Sequence, residues 1–135
     1  MAETTQFELV SPERLVLSRA VEMVVVPGTE GYFGVLPRHA PMISTLDAGI
    51  IDIYEGGSVV ERIFVAGGFA EVTEERCTVL AENAVPLDEI DPAKVDKDIA
   101  DTRDVLKDVS DTGERERLEA RVVTLEAMAR AKRAA

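Results

Sequence analysis

Tryptophan is absent from this chain, and cysteine and histidine occur once each, as Cys77 and His39. A lone cysteine forms no internal disulfide, which suits a reducing compartment. A single histidine beside a single cysteine cannot build the paired clusters that hold zinc, so no metal is expected. Cys77 has no histidine near it in sequence and reads as a small packed hydrophobe rather than a nucleophile. No apolar run reaches the roughly 18 residues that a membrane-spanning helix needs. The first residues, Met1-Ala2-Glu3-Thr4-Thr5-Gln6, carry neither a basic nor an apolar segment, so no signal peptide is read there. Positive charge is scarce too: 15 Lys and Arg stand against 26 Asp and Glu, a formal balance of −11. That balance repels phosphates, which excludes a nucleic-acid binder, and it disfavours direct attachment to anionic lipid. The expectation is a soluble cytoplasmic protein whose membrane association runs through partners.

What the chain does have is β pattern followed by helix pattern. Its 135 residues fit one domain, or a compact domain with a small appendage. Gln6 to Val10 alternates with the period of a half-buried strand, and the same period recurs from Arg14, Val21, Met42, Ile50, Val59, Phe69 and Arg76. Glu55-Gly56-Gly57 reads as a tight turn, and Gly67-Gly68 as a bulge or a close backbone approach. Short strands with no helical period between them predict an antiparallel β-sandwich of about ten strands over residues 1–86. Its inward residues are expected to be Leu9, Leu15, Leu17, Val25, Ile43, Ile53, Ile63, Val65, Val72 and Leu80. Residues 87–135 then read as an antiparallel αα-hairpin. Asp91 is a good N-cap with Pro92 at the first helical position. Val95, Ile99, Thr102, Leu106 and Val109 line one helix face, and Leu118, Val122, Leu125 and Ala129 line the next, across a turn at residues 110–113.

No catalytic set accompanies this frame. Gly28-x-x-Gly31-x-x-Gly34 lacks the Lys-Ser/Thr of a phosphate-binding loop and leads into no helix. By elimination the chain is a binding or regulatory module, not an enzyme, and no cofactor is implied. The stretch from Pro27 to Pro41 mixes glycines and prolines with Tyr32, Phe33, Val35 and Leu36. It reads either as an elaborate hairpin capping the core or as a surface shown to another protein. Charge is uneven: residues 1–91 hold 5 Arg and 16 carboxylates, whereas residues 114–135 hold 6 basic residues and 4 Glu. The basic end, Arg130-Ala131-Lys132-Arg133, suits either the dipole of a helix C-terminus or docking on an acidic surface.

Four stretches together resemble a known family. Pro27-Gly28-x-x-Gly31-x-x-Gly34-Val35-Leu36-Pro37-x-His39-Ala40-Pro41 is similar to the ε subunit of bacterial F-type ATP synthases, the δ subunit of mitochondria. Phe7 to Pro12, Val65 to Val72 and Ala81 to Ala84 match the same family in the same order. The resemblance implies a flattened β-sandwich with a helical tail. It implies a non-catalytic subunit of the rotor's central stalk, joining the γ subunit to the c-ring at the cytoplasmic face of the membrane. Carried over by motif position, Ser11, His39, Ser44 and Ala66 lie against γ, and Glu30, Gly31, Tyr32 and Phe33 touch the c-ring. The family's hairpin can also extend and block rotation, its basic second helix meeting the α and β catalytic subunits, which assigns Arg121, Arg130, Lys132 and Arg133 to inhibitory docking. Some members bind ATP through an Ile/Leu-Asp-x-x-Arg-Ala motif. Here the stretch is Ile90-Asp91-Pro92-Ala93-Lys94-Val95. Lysine lacks arginine's planar fork, so Asp91 and Lys94 form a degenerate motif and ATP binding is not expected. Set against the family, the residues alone also allow a free-standing sandwich that binds a small ligand or peptide and dimerises through its helices.

Overall fold

The computed structural model describes residues 3–135. They divide into two compact units, one ending at Leu87 and one beginning at Asp88. The first holds eight strands: β1 (Thr5–Ser11), β2 (Arg14–Val21), β3 (Met23–Gly28), β4 (Gly31–Val35), β5 (Met42–Thr45), β6 (Gly49–Glu55), β7 (Ser58–Val72) and β8 (Arg76–Pro86). They form one continuous sheet in the order β2-β1-β8-β7-β6-β3-β4, with β5 pairing β7 off that path. The sheet folds back on itself because β7 and β8, 15 and 11 residues long, each serve both layers. The first half of β7 pairs β6 and its second half pairs β5, with β8 beside it throughout. Counting those two strands once per layer recovers the ten expected from the sequence. One pairing departs from the antiparallel expectation: β1 lies parallel to β8.

Gly67 and Gly68 carry β7 from one layer to the other. Both have positive φ, 72° and 107°, and a Cβ on Gly68 would run into the Leu80 carbonyl oxygen. The interruption read from the sequence is therefore a close backbone approach inside one unbroken strand. The pair also inverts the alternation, so that Ile63 and Val65 face the core before it and Ala70 and Val72 after it. One apolar cluster joins the layers, with Phe7, Leu9, Val24, Val26, Ile51, Ile53, Val65 and Val79 fully excluded from water. Each such side chain stabilises by about 1.5–3 kcal/mol relative to leaving it exposed. Across the layers Arg19 of β2 pairs with Glu55 of β6 and Glu61 of β7.

Three residues expected in the core face outward instead: Leu15, Ile43 and Leu80. The pairing of β2 with β1 shifts register between Leu9 and Val10 of β1, leaving Val16 of β2 as the extra residue; Leu9 opposes Leu17 while Val10 opposes Leu15. Val16 turns to the core and Leu15 away from it. Val25 is only half-buried because the chain bends at Glu22, between β2 and β3, and hands the inward positions to Val24 and Val26. In β5, Ser44 opposes the buried Ala70, which puts Ile43 opposite Glu71 on the outer face. Leu80 opposes Phe69, and both project outward. The sequence reading also treated Gly31–Val35 as loop, whereas it is β4, paired along its length with β3.

The second unit contains α1 (Pro92–Leu106) and α2 (Thr112–Ala134). The Asp91 side chain accepts from the Ala93 N–H at 3.0 Å and so caps α1, as its position predicts. Asp111 does the same for α2 through the Glu114 N–H, at 2.9 Å. Val95, Ile99 and Thr102 of α1 and Val122, Leu125 and Ala129 of α2 are the buried positions. Arg115 donates to the Leu106 and Val109 carbonyls, satisfying the open end of α1 and fixing the turn.

Candidate functional site

Without a catalytic cluster, the functional question is which surfaces could meet a partner. The first is the β3–β4 hairpin, which turns through Thr29 and Glu30 with Gly28 paired to Gly31. Its tip is held to the β5–β6 connection. The Thr29 N–H donates to the Thr45 carbonyl at 3.0 Å, the two threonine hydroxyls lie 3.0 Å apart, and the Asp47 N–H donates to the Pro27 carbonyl at 2.9 Å. Tyr32 adds a brace. The residue is 60% exposed, yet its hydroxyl accepts from the Ile50 N–H at 3.2 Å. It lies over Gly49, where a Cβ would come within 2.5 Å of the hydroxyl and 2.8 Å of Pro27. Glu30 and Gly31 are exposed at the tip. Phe33, grouped with them from the sequence, instead packs against the sandwich core.

The second surface is the outer face of the layer containing β2, β1, β8 and β5. Cross-strand pairing aligns Leu15, Val10, Leu80, Phe69 and Thr45 in one row across five strands. Leu15 is 57% exposed, Phe69 and Leu80 each 39%, and Ile43, two residues from Thr45 along β5, 69%. Ser11 ends β1 beside this row, where with Phe69 and Leu80 it lines a groove. Ser44 is half-buried on β5, its hydroxyl donating to the Thr45 carbonyl at 3.0 Å. His39 is half-buried in the loop before β5, its Nδ1 lying 2.7 Å from the Ala40 carbonyl oxygen. Ala66 is buried at 5% exposure and so presents almost no surface.

The third surface is on the helices. Arg103 of α1 and Arg130 and Arg133 of α2 border a cleft of about 440 Å³, together with Asp96 and Glu126. Arg103 pairs with Glu126 at 3.5 Å. Lys94, which stands at the arginine position of the nucleotide motif, pairs instead with Asp98 one turn on, at 3.0 Å. That hydrogen bond holds the Asp98 carboxyl below the usual carboxylate range. Asp91, the other motif residue, has its carboxylate committed to the α1 cap. Arg121 is exposed elsewhere on α2, and it and Lys132 lie outside the cleft lining.

Residues 4–87, the whole sandwich, match the family described as ATP synthase, Delta/Epsilon chain, beta-sandwich domain. The chain belongs to the ATP synthase delta/epsilon family. It is 58% identical over 120 residues to the ATP synthase epsilon chain of Rhodospirillum rubrum, covering 89% of this chain and 88% of that one. The epsilon chain of Rhodospirillum centenum is 55% identical over 132 residues, 94% of this chain and 90% of its own length. Among solved structures, a chain of the Euglena gracilis mitochondrial ATP synthase, imaged by cryo-EM with OSCP, F1 and c-ring, superposes with a TM-score of 0.74. That alignment has 27% identity and covers 95% of this chain and 81% of that chain. The resemblance carried by four stretches is thus a membership that spans nearly the whole chain.

Within this delta/epsilon chain, sequence reasoning located the braced tip but missed the apolar row. A signal for the row was present. Ile43 can face the core only if Glu71, directly across from it, does so too, and an unpaired buried carboxylate is costly.

Proposed function

We propose that this chain is a non-catalytic central-stalk subunit of a proton-translocating F-type ATP synthase, joining γ to the c-ring. The observation that carries this reading is the apolar row of Leu15, Val10, Leu80 and Phe69 on the outside of a fully formed sandwich. A folded domain rarely leaves a contiguous apolar row in water unless another protein covers it. In this reading γ covers the row, with Ser11, Ser44 and His39 at its margins. The c-ring meets Glu30, Gly31 and Tyr32 at the other end of the sheet order, where the hydrogen bonds that hold the tip suit a joint that transmits torque. No described helix is long and apolar enough to cross a membrane, so attachment to the cytoplasmic face runs through the complex. The basic end of α2, with Arg121, Arg130, Lys132 and Arg133, docks on acidic segments of α and β and restrains hydrolysis.

Co-expression of the tagged chain with the remaining F1 subunits, followed by affinity capture and mass spectrometry, tests the reading. Stoichiometric γ is the outcome it requires. A folded homodimer that leaves γ behind would instead support the free-standing binding module. Removing residues 114–135 is expected to raise the ATP hydrolysis rate of the assembled complex without dissociating the sandwich from it.

A further inference from the structure

A groove of about 270 Å³ opens on the outer face of the sandwich, between the end of β1 and the β7–β8 corner. Val10, Pro12, Phe69 and Leu80 wall it, and the backbone of Gly68 and Ala81 lies between them. Glu82 stands at one end. Its carboxylate lies over Gly67, where a Cβ would come within 2.7 Å of the carboxylate oxygen. Among the described residues Glu82 makes no ion pair.

Size and charge restrict what could fill this groove. It is smaller than the roughly 300–1,000 Å³ of a small-molecule site but ample for one aliphatic or aromatic side chain. One large side chain seated in an apolar pocket is the usual anchor of a protein interface. Glu82 is the one charged residue in the groove's lining, and residues 1–91 as a whole hold 16 carboxylates against 5 Arg. A partner carboxylate near Glu82 would be repelled, whereas a cation there gives that carboxylate its missing counterpart.

We propose that this groove is an anchor pocket for one apolar side chain of the partner protein, flanked by a lysine or arginine that pairs with Glu82. The inference rests on the reading of the outer face as the γ-docking surface, and it adds the chemistry of the contact.

Titration calorimetry of the full-length chain and its variants against the cognate γ subunit, at low and at high salt, tests it. Leu80→Ala is expected to weaken binding about tenfold or more at both salt concentrations. Glu82→Lys is expected to weaken it at least tenfold at low salt, with the penalty shrinking at high salt as the charge is screened. Glu82→Gln should fall between wild type and Glu82→Lys. Thermal midpoints report folding, and Phe69→Ser serves as the second lesion if Leu80→Ala proves unstable. If wild type binds γ and these variants bind as tightly, the anchor pocket is overturned while the docking reading stands. If wild type does not bind γ, both are overturned. Tighter binding by Glu82→Lys would overturn the cationic flank.

Discussion

Cys77 shows how one buried side chain links pH to stability. It lies on the inner face of β8, fully excluded from water, and burial pushes its thiol up to about 12 from an ordinary 9.0. The unfolded chain ionises this thiol near 9 while the folded chain resists, so the contribution is complete below 9 and is lost as pH rises toward 12. Urea midpoints should therefore fall as pH climbs above 9, and Cys77→Ala should flatten that fall. A pH-independent midpoint in wild type would contradict the account. Lys94 makes a different residue-scale case. Its ammonium is already paired with Asp98, and Arg103 with Glu126. A nucleotide entering the hairpin would have to displace these pairs and accept an ammonium where a guanidinium fork belongs. Each charged hydrogen bond forgone is worth on the order of 1.5–3 kcal/mol, and 1.4 kcal/mol is about tenfold in affinity. ATP titration is expected to give a dissociation constant well above the low-micromolar range, with Lys94→Arg plus Val95→Ala gaining affinity. Low-micromolar binding by wild type would sink this expectation.

Among the elements, the helices were the most legible from sequence and the strand faces the least. Asp91 and Pro92 announced the start of α1, because caps act over three residues and need no distant partner. The strands were visible as alternation, but their faces depend on counting by twos without a slip. Three devices break the count: the extra Val16 opposite Leu9 and Val10, the bend at Glu22, and the pair Gly67-Gly68. A one-residue slip turns every following side chain to the other face, which is why Leu15 and Val25 were expected inside. Ile43 and Leu80 lie on strands without such a device, and their outward faces follow from their cross-strand partners Glu71 and Phe69. The same limit hid the apolar row, and it misplaced Phe33 beside the exposed Tyr32. β4 was hidden because its glycines imitate a loop. The corner gives a sharp test. Gly68→Ala combines a positive φ with a clash against the Leu80 carbonyl, and should cost on the order of 2–4 kcal/mol in urea unfolding. Gly113→Ala, whose Cβ would meet nothing nearer than the Asp111 carboxylate at 3.6 Å, should be nearly silent. Equal effects at the two positions would remove the corner's special status.

At the scale of the whole molecule, the apolar cluster of the sandwich draws only on residues between Phe7 and Ala84. A fragment ending near residue 86 is therefore expected to unfold in one cooperative transition and to bind no ANS, while a molten, dye-binding product would show that the helices are needed. The path of β7 and β8 has a further consequence. In cross-section the domain has two sheets, yet both are cut from the same ribbon, so no seam divides them. A nick at Gly56–Gly57, in an exposed turn held to the Glu22 carboxylate by two hydrogen bonds, leaves each layer with whole strands, and the two pieces could reassemble. A nick at Gly67–Gly68 cuts β7 where it passes from one layer to the other, so neither piece keeps a whole β7 and β8 loses the unbroken strand it pairs with. The sandwich can be opened at its turns but not split between its layers.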